Sequence, residues 1–455
     1  MAPVNRKLLP ASVSREPDGS TLICVSRRDV PLVGISIECD GGCVCEPRQV
    51  PGLADLAAAL FDEGIHGWPS LKWHRRLDRD AISMSVSPSM LRWNAQLGCL
   101  SEDLDAAQDL FGQWLVNPAL PAGEWKRLVK EHQTHAKEQW AQPANLIDPV
   151  SNVQVLGFGH PDAHPAFERS YARARYDEAR QLARTAFRRS ASVYAMIAGN
   201  VDVEEGFGRL RRLIGALPPG SEGGNGKSFA TWTEPPPTPA QKRVWIVNHA
   251  KLDQVSFAFG RLGARAGDPD RIALRLADYA LGSGGFSSRL MNRVRAQMGH
   301  TYGIDSTLPL DHVLTAFKIQ SFTKVENLAD MLTLIDRELD AVRTDGFTSE
   351  ELSDAQEHLH GSLPLKLTSP GTIASVVAHG LRAGLAPEDL ESDWHAIRDV
   401  SLDQVNAAAR RLLGDGPFHL ALIGPSRKIL PMIADRGEAA VFRFRTCPDR
   451  WRVEA

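Results

Sequence analysis

The chain has 455 residues, of which 43% are hydrophobic and 24% are charged, and its formal net charge at pH 7 is −3. This length predicts two to four domains, because one hydrophobic core rarely serves more than about 250–300 residues. The small net charge excludes a global electrostatic attraction to nucleic acid or to an anionic membrane, and no apolar run approaches the roughly 20 residues that span a bilayer.

The N-terminus and the cysteine content favour a cytoplasmic protein. The first ten residues contain Arg6 and Lys7, but no apolar stretch follows them, so a secretory signal is not predicted. If a signal peptide was removed before residue 1, the protein would instead be periplasmic. Six cysteines are few for this length and are typical of a reducing compartment.

The first half of the chain combines predicted strands and helices. An alternating apolar pattern at residues 31–39 predicts a strand, and residues 52–64 predict a helix. Two further amphipathic helices are expected at residues 103–115 and 122–139. Glycine and proline are then frequent in residues 217–241, a composition typical of a linker.

The second half repeats this order. Residues 254–260 predict a strand, and the helix predicted after it starts at residue 273, as the first helix starts at residue 52. Residues 191–200 likewise resemble residues 416–425. Both pairs of segments are separated by nearly the same number of positions, which indicates an internal duplication. Further helices are predicted at residues 326–343, 349–361 and 402–413.

These elements predict an α+β fold made of two homologous α/β-sandwich domains. In each domain we expect one sheet with helices packed on one of its faces. The predicted boundaries are residues 1–216 for the first domain, 217–241 for the linker and 242–455 for the second domain.

Residues 51–61 resemble the active-site helix of the pitrilysin/insulinase zinc peptidases, the inverzincins. In that family the helix carries His-x-x-Glu-His, whose histidines bind zinc and whose glutamate polarises the metal-bound water. The three positions hold Asp55, Ala58 and Ala59 in this chain, and the position of the family's third zinc ligand holds His135. The resemblance implies that the helix is kept while the zinc chemistry is lost.

Asp55 and His135 leave open a different metal site, in which the two side chains would face each other across the cleft that holds zinc in the family. Two ligands are fewer than the three of a catalytic zinc site or the four of a structural one, and Ala58 offers no general base. His132 and His135 are spaced to share a helix face, but histidines on such a polar helix are usually exposed. We therefore expect no metal in this chain.

Residues 284–304 resemble the second signature of the same family, in which a glycine turn precedes a helix. In that signature an arginine near the end of the helix and a later tyrosine hold the backbone of the substrate, and these positions are Arg295 and Tyr302 here. Arginine offers several donors in a fixed fork, and tyrosine adds one hydroxyl donor. Such a pair can position a peptide carbonyl and stabilise charge that develops on its oxygen.

The resemblance covers most of the chain and implies a non-catalytic subunit of a two-subunit bacterial zinc peptidase. A homologous partner would carry the zinc, while this chain would supply Arg295, Tyr302 and half of a clam-shell chamber for the peptide. Neither nucleic acid nor a membrane is an expected partner, and the chain is not expected to be catalytic alone.

Two alternatives stay open. The chain resembles, in part, relatives that became structural subunits of larger assemblies without a peptidase role. It also resembles the substrate-recognition subunit of a processing peptidase, although that subunit has an extended glycine-rich loop and the corresponding loop here, residues 282–285, is short.

Overall fold

The structure is a computed structural model of the chain. It describes residues 8–157, 160–163, 165–190, 192–220, 244–298, 303–311, 313–414, 416 and 418–443. The strands are β1 (Ser12–Arg15), β2 (Thr21–Ser26), β3 (Leu32–Asp40), β4 (Ser83–Pro88), β5 (Arg92–Leu100), β6 (Tyr194–Gly199), β7 (Val244–Asn248), β8 (Gln254–Leu262), β9 (Ile304–Thr307), β10 (Ala316–Lys324), β11 (His419–Gly424) and β12 (Ala439–Arg443).

Helices make up most of the remaining described chain. They are α1 (Leu53–Asp62), α2 (Ser70–Arg79), α3 (Leu104–Val116), α4 (Trp125–Ala141), α5 (Pro143–Leu156), α6 (Glu168–Arg173), α7 (Tyr176–Ala186), α8 (Val203–Ala216), α9 (Arg271–Asp278), α10 (Arg289–Met298), α11 (Leu328–Thr344), α12 (Ser349–Lys366), α13 (Pro370–Arg382), α14 (Pro387–Ala396), α15 (Leu402–Leu413) and α16 (Ser426–Ile429). A π-helical segment, Tyr279–Ser283, continues α9. Among the described residues, no helix combines the length and apolarity that a membrane crossing requires.

The strands form two six-stranded sheets. Sheet 1 has the order β1-β2-β6-β3-β5-β4, and sheet 2 has the order β12-β7-β11-β8-β10-β9. Five strands correspond between the two sheets: β2, β6, β3, β5 and β4 have the same order and relative directions as β7, β11, β8, β10 and β9. The sixth strand differs, because β1 is antiparallel to β2 whereas β12 is parallel to β7.

The strand register supports the duplication indicated by the sequence. In sheet 1, Gly34 lies opposite Ala198, and in sheet 2 the equivalent pair is Ser256 and Ile423. The resemblance between residues 191–200 and 416–425 aligns residue 198 with residue 423, and the strand pairing then aligns Gly34 with Ser256, at nearly the same separation as the two predicted helix starts, residues 52 and 273. Such agreement is expected when both halves descend from one strand arrangement.

The chain folds into two compact units that do not follow the sequence halves. Unit 1 contains residues 1–138, 166–229 and 366–381, and unit 2 contains the other three segments, residues 139–165, 230–365 and 382–455. The linear division into residues 1–216 and 242–455 therefore differs from the compact units, because a helical segment of each half folds with the other half's sheet. Most of the linker predicted at residues 217–241 lies outside the described residues.

Each sheet packs its main core on one face. In unit 1 the core contains stacked and edge-on aromatic rings, among them Phe61, Trp114 and Trp73. Trp114 is fully buried, and its indole N–H donates to the carbonyl of Phe61 at 2.8 Å, which fixes α3 against α1. The predicted sheet with helices on one face is correct for this core, but a helix also lies on the second face of sheet 2. This helix is α5, which packs on β8, β10 and β11.

The predicted helices are present with small shifts at their ends. The helix predicted at residues 402–413 begins and ends at those residues, and a capping box explains its start: Ser401 Oγ accepts from the N–H of Gln404 at 3.3 Å, and the Gln404 side chain accepts from the N–H of Ser401 at 2.8 Å. Thr348 and Glu351 form the same reciprocal pair at the start of α12.

Candidate functional site: a degenerate zinc helix and an arginine-bearing helix

The first turn of α1 is capped by a carboxylate from the preceding loop. Glu46 accepts hydrogen bonds from the N–H of Ala54 at 2.6 Å and from the N–H of Gly52 at 3.1 Å. The first N–H groups of a helix have no partner within the helix, and the two carboxyl oxygens of Glu46 supply acceptors for them. Glu46 therefore fixes the start of the helix that carries the degenerate motif.

Asp55 lies in the same turn and is held by a tyrosine from another helix. The Tyr171 hydroxyl, on α6, donates to Asp55 Oδ2 at 3.0 Å. The Tyr171 ring also packs against the backbone of Gly52, where an added Cβ would lie 2.5 Å from its Cε1 atom. His132, on α4, lies beside the same tyrosine, with 5.4 Å between the ring centroids.

Burial dominates the ionisation of these groups. The pKa of Glu46 is raised to about 8, mainly by burial; the backbone N–H donors of Ala54 and Gly52 oppose this rise, and the nearby Asp55 adds to it. Burial also raises the pKa of Asp55, opposed by the Tyr171 hydrogen bond and the charge of His132. The pKa of Tyr171 is raised by its burial and by Asp55. The carboxyl groups of Glu46 and Asp55 and the phenol of Tyr171 thus affect one another's pKa.

The other positions that the resemblance assigns to the zinc motif are two alanines and an exposed histidine. Ala58 is 6% exposed and Ala59 is half-buried, so both pack as helix residues. His135 is exposed on α4, and the histidine whose charge acts on Asp55 is His132. Within the described ranges, no group of three His, Cys, Asp or Glu side chains is arranged to hold a metal ion.

The helix of the second signature, α10, is firmly anchored at its start. The Arg289 guanidinium binds both oxygens of the Glu351 carboxylate, at 2.6 and 2.5 Å, and lies over the ring of Phe347. Leu290 and Val294 are fully buried on the same helix. A bidentate ion pair with apolar packing beneath it holds α10 in one orientation.

Arg295 lies in the last turn of α10 and is exposed. Its guanidinium lies over the ring of Phe286, 4.7 Å from the centroid, and that ring is itself 70% exposed. Arg293 on the same helix has an acidic partner, Glu338 at 3.6 Å, whereas no carboxylate pairs with Arg295 among the described residues. Tyr302 lies outside the described residues, so its placement beside Arg295 stays a prediction.

Three residues of these two regions were missed by the sequence reasoning. Glu46 caps the first turn of α1, and Tyr171 binds Asp55 on the same helix. The ring of Phe286 lies beneath the guanidinium of Arg295. A glycine at the helix start, Gly52, is a signal that another residue must supply the cap, because glycine has no side-chain acceptor. No sequence signal identifies Tyr171, since it lies 116 residues from Asp55.

Comparison with known proteins places the chain in a family. Residues 23–153 match the family model described as Insulinase (Peptidase family M16), and residues 174–359 match the model described as Peptidase M16 inactive domain. The chain belongs to the M16 peptidase family. The resemblance found in residues 51–61 and 284–304 is therefore confirmed for the family.

Relatives of this M16 chain span most of its length. It is 23% identical over 369 residues to a Helicobacter pylori protein named non-peptidase homolog YmxG, covering 80% of this chain and 82% of the relative. It is 23% identical over 419 residues to a Bacillus subtilis protein named uncharacterized zinc protease YmxG, covering 90% and 97%. The solved M16 inactive domain from Pseudomonas fluorescens matches with a TM-score of 0.81 at 22% identity, over 92% of this chain and 98% of that one.

The comparisons confirm the predicted α+β fold. The described residues form two six-stranded sheets, and the chain matches both M16 family models and the fold of a solved M16 inactive domain. One relative carries the name of a non-peptidase, which agrees with an M16-like chain that has Asp55, Ala58 and Ala59 in place of the zinc motif.

Proposed function

We propose that this chain is the non-catalytic subunit of a heterodimeric zinc peptidase. In this proposal a homologous partner with an intact His-x-x-Glu-His motif supplies the zinc, and this chain supplies Arg295, Tyr302 and half of the peptide chamber. The observation that carries the proposal is the contrast between the two signature helices: the motif positions of α1 are buried or hydrogen-bonded within the chain, while Arg295 on α10 is exposed.

The environment of Arg295 supports a role in peptide binding. An exposed guanidinium without a carboxylate partner in the described part of the chain keeps its donors available for a peptide carbonyl. The Phe286 ring restricts the conformations of its side chain, which lowers the entropy lost when a ligand is bound. Tyr302 would add a hydroxyl donor at the same carbonyl.

The proposal also assigns a compartment. Among the described residues, Cys24, Cys39 and Cys99 are buried free thiols, which suits the reducing cytoplasm. Periplasmic location is the alternative if the natural precursor carries a signal peptide.

The first test compares the chain alone with the chain and its partner. The purified chain should bind less than about one-tenth of an equivalent of zinc and should cleave no peptide, since a catalytic site needs three protein ligands. Capture from the native source should recover a homologue of similar size that bears His-x-x-Glu-His, and the two together should hydrolyse peptides. Zinc-dependent hydrolysis by this chain alone would refute the proposal.

The second test uses two arginines of the same helix. Arg295→Ala should lower kcat/KM of the assembled pair by roughly ten- to a hundredfold, the effect of losing one charged hydrogen-bond donor. Arg293→Ala is the matched control, because Arg293 is also exposed but is paired with Glu338, and it should leave turnover unchanged. Equal activity of both variants, with the assembly intact, would favour the structural-subunit alternative.

A further inference from the structure

The second face of sheet 1 contains a row of very small residues. Ser83 lies opposite Gly98, Gly98 opposite Gly34, and Gly34 opposite Ala198, so the row crosses the four neighbouring strands β4, β5, β3 and β6. Side chains alternate between faces along a strand, and the buried neighbours Val33 and Ile35 therefore point to the opposite, helix-covered face. A row without large side chains leaves a shallow trough across the sheet.

The second face of sheet 2 is filled instead. An added Cβ at Gly260 would lie 2.7 Å from Ser151 Oγ and 2.7 Å from Val155 Cγ2, both on α5. Lys318, on the same face, donates from Nζ to Asp148 Oδ1 at 2.5 Å and to Asn152 Oδ1 at 3.0 Å. The corresponding face of sheet 2 thus has a helix in direct contact with it.

In unit 1 the space over the small residues stays open. An added Cβ at Gly34 would meet nothing closer than the carbonyl oxygen of Leu97, at 3.7 Å. The resulting cavity has a volume of 970 Å³ and is bounded on its other side by residues 368–375, where α13 begins. The Arg27 guanidinium donates to the carbonyl of Thr368 at 2.9 Å and holds this wall in place. The volume lies within the range of small-molecule sites, about 300–1,000 Å³.

The lining of the cavity selects against charge. Its charged residues are Arg27 and Asp29, which form an ion pair with each other. Leu32 is 53% exposed at the cavity and contributes apolar surface. The amide of Gln96 is exposed and has no hydrogen-bond partner among the described residues, so it can donate to and accept from a ligand. An ionic ligand would lose its hydration here without gaining a counter-charge.

We propose that this cavity binds a neutral, elongated and largely apolar molecule that carries one hydrogen-bonding group. Its apolar body lies across the row Ser83, Gly98, Gly34 and Ala198, and its polar group meets the amide of Gln96. This binding is independent of any peptidase partner, because every lining residue belongs to unit 1.

The test uses two probes with the same aromatic skeleton. N-phenyl-1-naphthylamine is neutral, carries one N–H group and becomes fluorescent when it leaves water, while 1-anilinonaphthalene-8-sulfonate adds one negative charge. Titration of the full-length chain should show saturable binding of one equivalent of the neutral probe, and the sulfonate should bind at least about tenfold more weakly. Absence of saturable binding of the neutral probe, or equal affinity for both probes, would overturn the proposal.

Variants then locate the bound probe. Gly34→Phe fills the trough where the structure has free space, and it should weaken the neutral probe at least about tenfold without changing the circular-dichroism spectrum. Gly361→Phe is the control, because an added Cβ at Gly361 meets nothing within 4 Å and the residue lies on α12, away from the cavity. Leu32→Ser changes an exposed side chain and should weaken binding about threefold even if Gly34→Phe fails to fold. Unchanged affinity in Leu32→Ser and in folded Gly34→Phe would refute this location.

Discussion

Helices α1 and α10 both follow a glycine with positive φ, but their surroundings are opposite. Gly52, at φ 89°, is packed against the ring of Tyr171, while Gly285, at φ 57°, has no atom within 4 Å of an added Cβ. On α1 the polar side chain Asp55 is half-buried and hydrogen-bonded to Tyr171. On α10 the polar side chain Arg295 is exposed and lies over Phe286.

This difference predicts that the two regions respond differently to substitution. The α1 region satisfies its own polar groups, so it contributes to stability and offers few donors or acceptors to a ligand. The α10 region leaves a cation at the surface on an anchored helix, which suits recognition. The comparison predicts that substitutions near α1 change stability, whereas substitutions at the exposed end of α10 change binding.

The largest expected effect is at the two glycines. Gly52→Ala should destabilise the chain by roughly 2–4 kcal/mol, because its φ is unfavourable for alanine and its Cβ would collide with Tyr171. Gly285→Ala, the matched variant, should cost only about 1 kcal/mol for the backbone conformation. Chemical denaturation of both variants measures the difference, and equal losses would contradict the contrast in packing.

A smaller loss is expected when the hydroxyl of Tyr171 is removed. Tyr171→Phe keeps the ring against Gly52 but leaves the half-buried Asp55 without this donor, which should cost about 1–3 kcal/mol. Tyr176→Phe is a suitable control, since its hydroxyl donates to the carbonyl of Leu120 at 2.7 Å and not to a carboxyl group. If Tyr171→Phe is as stable as the wild type, the hydrogen bond from Tyr171 to Asp55 does not stabilise the fold.

The pH dependence of stability reports on Glu46. Burial raises the pKa of Glu46 from 4.5 to about 8, so the folded chain holds this proton more tightly than the unfolded chain. Its stabilising contribution is therefore complete below the unfolded value of 4.5 and is lost as the pH rises through about 8. Melting temperatures between about pH 5 and pH 9 should fall less in Glu46→Gln than in the wild type. A parallel decline in both proteins would exclude Glu46 as the cause.

The smallest expected effect on stability is at Arg295. Arg295→Ala removes an exposed side chain and should change the free energy of unfolding by less than about 0.5 kcal/mol. Arg289→Ala on the same helix should cost much more, because it breaks the bidentate pair with Glu351 and leaves that carboxylate without its partner. Denaturation curves of the two variants therefore separate the anchored start of α10 from its exposed end.

Local patterns were sufficient for the elements themselves. The capping box at Ser401 and Gln404 and the apolar periodicity after it locate α15, because both act within one helical turn. The resemblance between the last strands of the two halves aligns residue 198 with residue 423, and the strand pairing then aligns Gly34 with Ser256, so the register agrees with the duplication. The identities of Asp55, Ala58 and Ala59 also follow from the sequence by the resemblance alone.

Partners distant in sequence required the structure. The folding of residues 139–165 with unit 2 and of residues 366–381 with unit 1 follows from no local pattern, since each helix has the same apolar period whichever sheet it covers. The histidine near Asp55 is His132 and not His135 for the same reason: both lie on α4, and only the packing of that helix decides which one faces the buried acid.

The sequence by itself determined the family and the order of strands and helices in its duplicated halves, because these depend on residue types and short spacings. The tertiary structure decided which sheet each exchanged helix covers, the pairing of Asp55 with Tyr171, and the open cavity over Gly34. These features depend on contacts between side chains far apart in the chain, and such contacts are set by the packing of whole elements.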